Sequence, residues 1–223
     1  GGEPVVPDFT PLAEVPPIPP HVHSGYIENG KVRPPGKLEA YFFPPTEYPP
    51  YRLRLQNVKT RLGLKPGVSR QDFLDALQMF GESGRMYSLL NEFSANAYDG
   101  WTIQSGVVHA PGPWPTIEMQ TPQDDFNLAA WQLAQRLPNS IRAREFQNLV
   151  LRGLASTKDF LDQLVDWEAS TAIDFKKRFF RPAVTIDEGT WGRRLRTFFD
   201  AFHGEAIELL PGASWTRPVS DEP

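Results

Sequence analysis

Proline decides what the first quarter of this chain can become. The 223 residues include 23 prolines, about twice the usual share of roughly 5%. Five Pro-Pro pairs fall between residues 16 and 50. Proline fixes its own φ, pushes the preceding residue into extended conformations, and cannot donate to a sheet ladder. The region is therefore expected to hold short strands between stiff connectors, with residues 1–20 as an extended arm. Residues 21–26 and 37–43 are the strand candidates, joined by the turn-forming run Glu28-Asn29-Gly30-Lys31. Residues 47–58 alternate weakly through Tyr51, Leu53 and Leu55 and are a further candidate.

The clearest helix is expected over 70–80. Ser69 is a natural N-cap and Asp72 its reciprocal partner three residues on, which satisfies first-turn amides. Phe73, Leu74, Leu77 and Phe80 then share a face, and Gly81 stops the helix. Strands are expected again over 87–94, 101–103, 107–110 and 116–120. Helices are expected over 124–137, over 140–154, and from Thr157 onward with Phe160, Leu161, Leu164 and Val165 inward. From Pro182 the pattern returns to strands, and the last of them is expected to open a further β-unit in a longer chain.

Hydrophobic residues make up 40% of the chain and charged residues 22%, ordinary for a globular protein. A net charge of -4 gives no reason to expect nucleic acid or an anionic membrane as partner. No apolar run approaches the roughly 20 residues that span a bilayer, and the start of the sequence has no basic and apolar regions of a signal peptide. A cytoplasmic location is expected. A homo-oligomer remains open. With no cysteine, a bound metal would have to use histidine, carboxylate and water.

Only four histidines are present, and three of them fall into one order with an acidic residue. His21 and His23 alternate along a candidate strand, so both point to one face about 7 Å apart. Glu39 lies on the next candidate strand, and His109 follows Gly106 in Gly106-Val107-Val108-His109-Ala110. His21, His23, Glu39 and His109 are the candidate metal ligands, a set suited to Zn, Fe(II), Mn or Ni. His203 has no such company and is expected at the surface.

This ligand order resembles that of the cupins. The expected fold class is therefore mainly β: a cupin jelly-roll barrel over 21–125 with an α-helical insertion or appendage over 126–180. Residues 181–223 would return to the barrel or begin the further β-unit.

Within the cupins the chain is most similar to the type I mannose-6-phosphate isomerases. His21-Val22-His23 stands where that family has Gln-x-His. Gly36-Lys37-Leu38-Glu39-Ala40-Tyr41 is similar to its Gly-Lys-Thr-Glu-x-Trp strand. Gly63-Leu64-Lys65-Pro66-Gly67-Val68 is similar to its Gly-Leu-Lys-Pro-Gly-Val turn, and Ile117-Glu118-Met119-Gln120 to its Glu-x-Gln strand. The likeness covers roughly residues 20 to 131. It implies bound Zn, a sugar phosphate as small-molecule partner, and aldose–ketose isomerisation by proton transfer between C1 and C2. Lys37, on the same strand face as Glu39, is the candidate catalytic residue. The chain departs from the family at His21 and at Asn127, where the family carries arginine. Arg178, Arg181, Arg193, Arg194 and Arg196 are the cations that could replace it. An Fe(II) dioxygenase and a non-catalytic sugar-binding cupin are the alternative readings.

Overall fold

The computed structural model describes residues 18–45, 58–112 and 114–217. Most of the expected arm and of the 47–58 strand lies outside the described residues. The chain forms several antiparallel sheets with helices packed against them. None of these sheets closes into a barrel.

The first sheet has five strands in the order β10-β1-β8-β5-β6. These are Asn127–Leu128, His21–Val22, His109–Ala110, Lys59–Leu64 and Leu90–Ser94. The second has the order β7-β4-β9, which are Gly100–Ile103, Glu39–Phe42 and Ile117–Gln120. A third sheet, β11-β12-β13, comprises Val184–Gly189, Gly192–Phe198 and Gly204–Leu209. The connection expected as a loop between 21–26 and 37–43 is itself a short hairpin, β2 (Tyr26–Glu28) with β3 (Lys31–Arg33), turning at Asn29-Gly30.

Strand alternation sorts the side chains into layers. Val22, Leu64, Val108 and Ala110 pack with Phe73, Leu77, Phe160 and Leu164 from the helices. Leu62 of β5 joins Tyr41, Trp101 and Ile103 in a second core between the first two sheets. On the far face of β4, Ala40 and Phe42 meet Phe198 of the third sheet. The histidines occupy the middle layer because His21 lies opposite in register to His109 and alternates with Val22.

One residue makes the change of layer along β5 possible. Gly63 adopts φ +67 where the ladder to β6 slips between Arg61 and Leu64, so Leu62 and Leu64 face opposite cores. A Cβ at Gly63 would lie 2.3 Å from a ring carbon of Phe175. Left-handed backbone costs an L-residue about 1–2 kcal/mol, and overpacking adds about 1–3 kcal/mol. Gly63→Ala is therefore expected to lower the unfolding free energy by about 3 kcal/mol, read from the urea midpoint at constant m-value. A loss below about 1 kcal/mol would show that the slip is not held by this glycine.

The helix from Arg70 begins as expected: Ser69 Oγ accepts from Asp72 N, and Asp72 accepts from Ser69 N. It ends at Gln78. The turn before it, Lys65 to Val68, closes with a 3.2 Å bond and places Gly67 at φ +86 after Pro66, the arrangement of a type II turn. Helix Thr157–Leu164 buries Phe160, Leu161 and Leu164 as the periodicity predicts.

Two expected elements differ. The expected strand at 87–94 starts as a helix, Ser83–Leu89, which buries Met86 and hands over to β6 at the extended Leu90. The expected helix at 124–137 contains β10 and only a short helical turn at Gln132–Arg136. Here Asn127 and Leu128 pair with Val22 and His21, and the free edge of β1 outweighs local helical preference. The helix at Asn139–Glu145 widens over Phe146–Leu151, where Arg152 N bonds Gln147 O.

Candidate metal centre

The antiparallel pairing of β1 with β8 brings His21 and His109 side by side, with ring centroids 4.1 Å apart. His23 lies just past the end of β1, and its carbonyl accepts from Gly106 N at 3.0 Å and from Ser105 Oγ at 2.8 Å. That tie needs the backbone of Gly106 at φ +81, where a Cβ would stand 2.8 Å from Asp166 N. One nitrogen from each of His21, His23 and His109 falls within 4.8 Å of the others. Bonds of about 2.1 Å to a common ion set ligand atoms roughly 3–4 Å apart, so small ring rotations complete such a site.

Hydrogen bonding fixes which ring nitrogens are available. His21 Nδ1 donates to Pro19 O at 2.6 Å, His109 Nδ1 donates to Val107 O at 2.8 Å, and His23 Nδ1 donates to the carbonyl of Asp125. These carbonyls can only accept, so each assigns the proton to Nδ1 and leaves the Nε2 lone pair free. An imidazole held through one nitrogen with the other directed at a shared centre is the usual arrangement of a histidine metal ligand. His109 Nε2 is buried and makes no hydrogen bond. It lies 3.2 Å from Glu39 Oε2, too poorly aligned to bond it. Leaving a buried polar atom without a partner costs about 1–3 kcal/mol, and a divalent ion would satisfy it.

Burial points the same way. His21, His23, His109 and Glu39 are each at most 3% exposed. Burial, followed by the neighbouring charges of His109 and His23, holds His21 well below its ordinary pKa, against the Pro19 carbonyl and Glu39. A neutral imidazole is the form that ligates.

Glu39 enters from the second sheet. Its Oε1 lies 3.1 Å from His23 Nε2 and 2.8 Å from Lys37 Nζ, and its Oε2 accepts from Tyr41 Oη at 2.5 Å. Burial works against its ionisation, but the close approach of His109 and His23 outweighs it and holds the carboxyl well below the usual range. Burial and the Glu39 charge keep the Tyr41 phenol protonated, well above its ordinary value.

All five candidate residues come together: His21 and His109 from the first sheet, Glu39 from the second, and His23 and Lys37 from the segments just after β1 and just before β4. Lys37 Nζ also donates to Gln120 Oε1 at 3.0 Å. Glu118, whose strand was read without giving it a role, belongs to the same group. Register places it opposite Tyr41, two positions from Gln120. The residue is exposed, but its carboxyl turns toward Glu39. Burial of that carboxyl and the Glu39 charge push it up to about 7, against Lys37 and His109. The sequence signal was the alternation of Glu118 with Gln120 on a strand beside Glu39.

Asn127 points elsewhere. It lies opposite Val22 on the face away from His21, and its Nδ2 donates to Val22 O and Gly25 O. The arginines do not gather at the histidines. Arg181 pairs with Asp200 and Arg193 with Glu208, while Arg194 lies near Glu205. The third sheet bearing Arg193, Arg194 and Arg196 packs on the opposite side of β4 from Glu39. His203 is exposed, as expected.

Among the described residues no helix is long and apolar enough to cross a membrane. No protein-family model matches the chain, and no curated protein matches it. Among solved structures it is similar to a "putative mannosephosphate isomerase" from Archaeoglobus fulgidus. The identity is 19% and the TM-score 0.38, covering 51% of this chain and 34% of the other. The chain thus spans about a third of that structure's length.

Proposed function

We propose that this protein is a metal-dependent sugar-phosphate isomerase of the cupin kind, acting on an aldose–ketose pair such as mannose 6-phosphate. The observation that carries the metal is the set of three Nδ1-anchored imidazoles converging beside Glu39. The substrate class is supported by the ordered likeness of four sequence segments to the mannose-6-phosphate isomerases. His21, His23, His109 and Glu39 hold the ion, with Zn the first choice for nitrogen-rich sites of this size.

A bound divalent ion supplies Lewis acidity toward adjacent sugar oxygens. The protein must then move one proton between two carbons. Glu118, held up to about 7, takes the proton from C2 as carboxylate and returns it to C1 as acid, since a base works best near the ambient pH. Lys37 Nζ, placed between Glu39 and Gln120, carries the compensating proton between the two oxygens. Tyr41 keeps Glu39 turned inward by donating to it. Phe126 stacks on the His21 ring at 4.3 Å and walls one side of the centre.

The test is elemental analysis of purified protein, followed by a coupled assay for interconversion of hexose 6-phosphates. Stoichiometric metal with turnover is expected. Stoichiometric metal with no interconversion of any hexose phosphate would refute the isomerase and leave a binding protein or an oxygenase.

A further inference from the structure

We propose that Asp125 is a positioning residue that locks the metal-binding histidines to the segment that bears Lys37 and leads into Glu39; this rests on the metal reading above. Asp125 is 1% exposed. Its Oδ2 accepts from Gly25 N at 2.8 Å, and its Oδ1 accepts from Lys37 N at 3.1 Å. Asn127 Nδ2 lies 3.5 Å from Oδ2. The carbonyl of the same residue accepts from His23 Nδ1.

Each of these bonds joins distant parts of the chain, with separations of 88, 100 and 102 residues. Gly25 is two residues past His23, and Lys37 is two residues before Glu39. One side chain thus holds the exit of β1 to the entry of β4, while its backbone sets the tautomer and direction of the His23 ring. The next residue, Phe126, rests on His21, so this turn touches both His21 in β1 and His23 just after it.

A buried carboxylate persists only where hydrogen bonds replace its water. Here two backbone N–H groups do so, and bonds to an ionised acceptor are about twice as strong as neutral ones. A carboxylate can accept on both oxygens. An amide cannot, so Asp125→Asn keeps the shape but sets an NH2 group against Gly25 N or Lys37 N. The expected result is a loosened hinge between the two halves of the site.

The test measures zinc and cobalt dissociation constants by chelator competition, together with the visible spectrum of the cobalt form. Wild type, Asp125→Asn and Thr197→Val are compared. Thr197 is buried in β12, away from the histidines, and controls for loss of a buried polar group. Asp125→Asn should weaken zinc by about 10–100-fold, as losing an outer partner of a ligand does, and change the cobalt spectrum. Thr197→Val should alter neither. An Asp125→Asn protein that melts cooperatively with wild-type constants and spectrum would overturn the proposal. If that variant does not fold, Asn127→Ser replaces it: weaker zinc binding supports the role, and an unchanged constant overturns it. Wild type that binds neither zinc nor cobalt would remove the metal reading itself, a separate outcome from failure of the Asp125 variant alone.

Discussion

Replacing His109 with alanine is expected to lower zinc affinity by at least about 100-fold, because losing a ligand should cost no less than losing a ligand's outer hydrogen-bond partner. His109 holds the central place: it pairs with His21 across the ladder, and its Nε2 has no hydrogen bond. The stability readout separates this from general damage. An ion present at about a hundred times its Kd stabilises the folded state by about 2.7 kcal/mol. For a chain of this size that is a rise in Tm of about 5–10 °C. Wild type should show the rise on adding zinc, and His109→Ala should not. Each protein is compared with its own metal-free form, so the cost of the cavity left by the buried ring is subtracted. A zinc-dependent rise of the same size in both proteins would place the ion elsewhere.

The gathering of three histidines beside Glu39 was legible in the sequence because each of its parts is a local pattern. The alternation of His21 with His23 puts both on one face of any strand. Lys37 and Glu39 share a face for the same reason, and Ser69 with Asp72 announces a helix start without reference to anything distant. The helix at Ser83–Leu89 was hidden because its N-cap makes no side-chain bond and its seven residues are too few to show a helical repeat. β10 was hidden because a two-residue strand has no period at all, and its register with His21 comes from a partner about a hundred residues away. The same distance conceals Asp125. Nothing near it in the sequence says that its carboxylate will meet Gly25 and Lys37, and the run 124–137 was expected to be helical. The prolines and the short alternating runs announced short strands between connectors, and the mainly β class came from the resemblance in ligand order; the sheets are antiparallel but do not close into the expected barrel. How those sheets face one another depends on the slip at Gly63, which is visible only once Leu62 and Leu64 are seen in different cores.

Lys37→Met should reduce kcat by about 10²–10⁴-fold, the range that a positioned acid or base contributes, while zinc stays bound. The sign of the effect on the metal follows from charge. Lys37 Nζ lies 2.8 Å from Glu39 Oε1, so its ammonium competes with a divalent cation for that carboxylate. Methionine keeps much of the side chain's length and apolar stem but removes the competing charge, and affinity for zinc should hold or tighten. Glu39 retains Tyr41, His23 and His109 as partners, so its orientation does not depend on the lysine. A purely structural Lys37 predicts the reverse pattern: zinc would weaken and turnover would fall only in proportion to lost metal. Turnover per bound zinc is therefore the deciding quantity. If it is unchanged in Lys37→Met, the lysine balances the Glu39 charge and takes no part in moving protons.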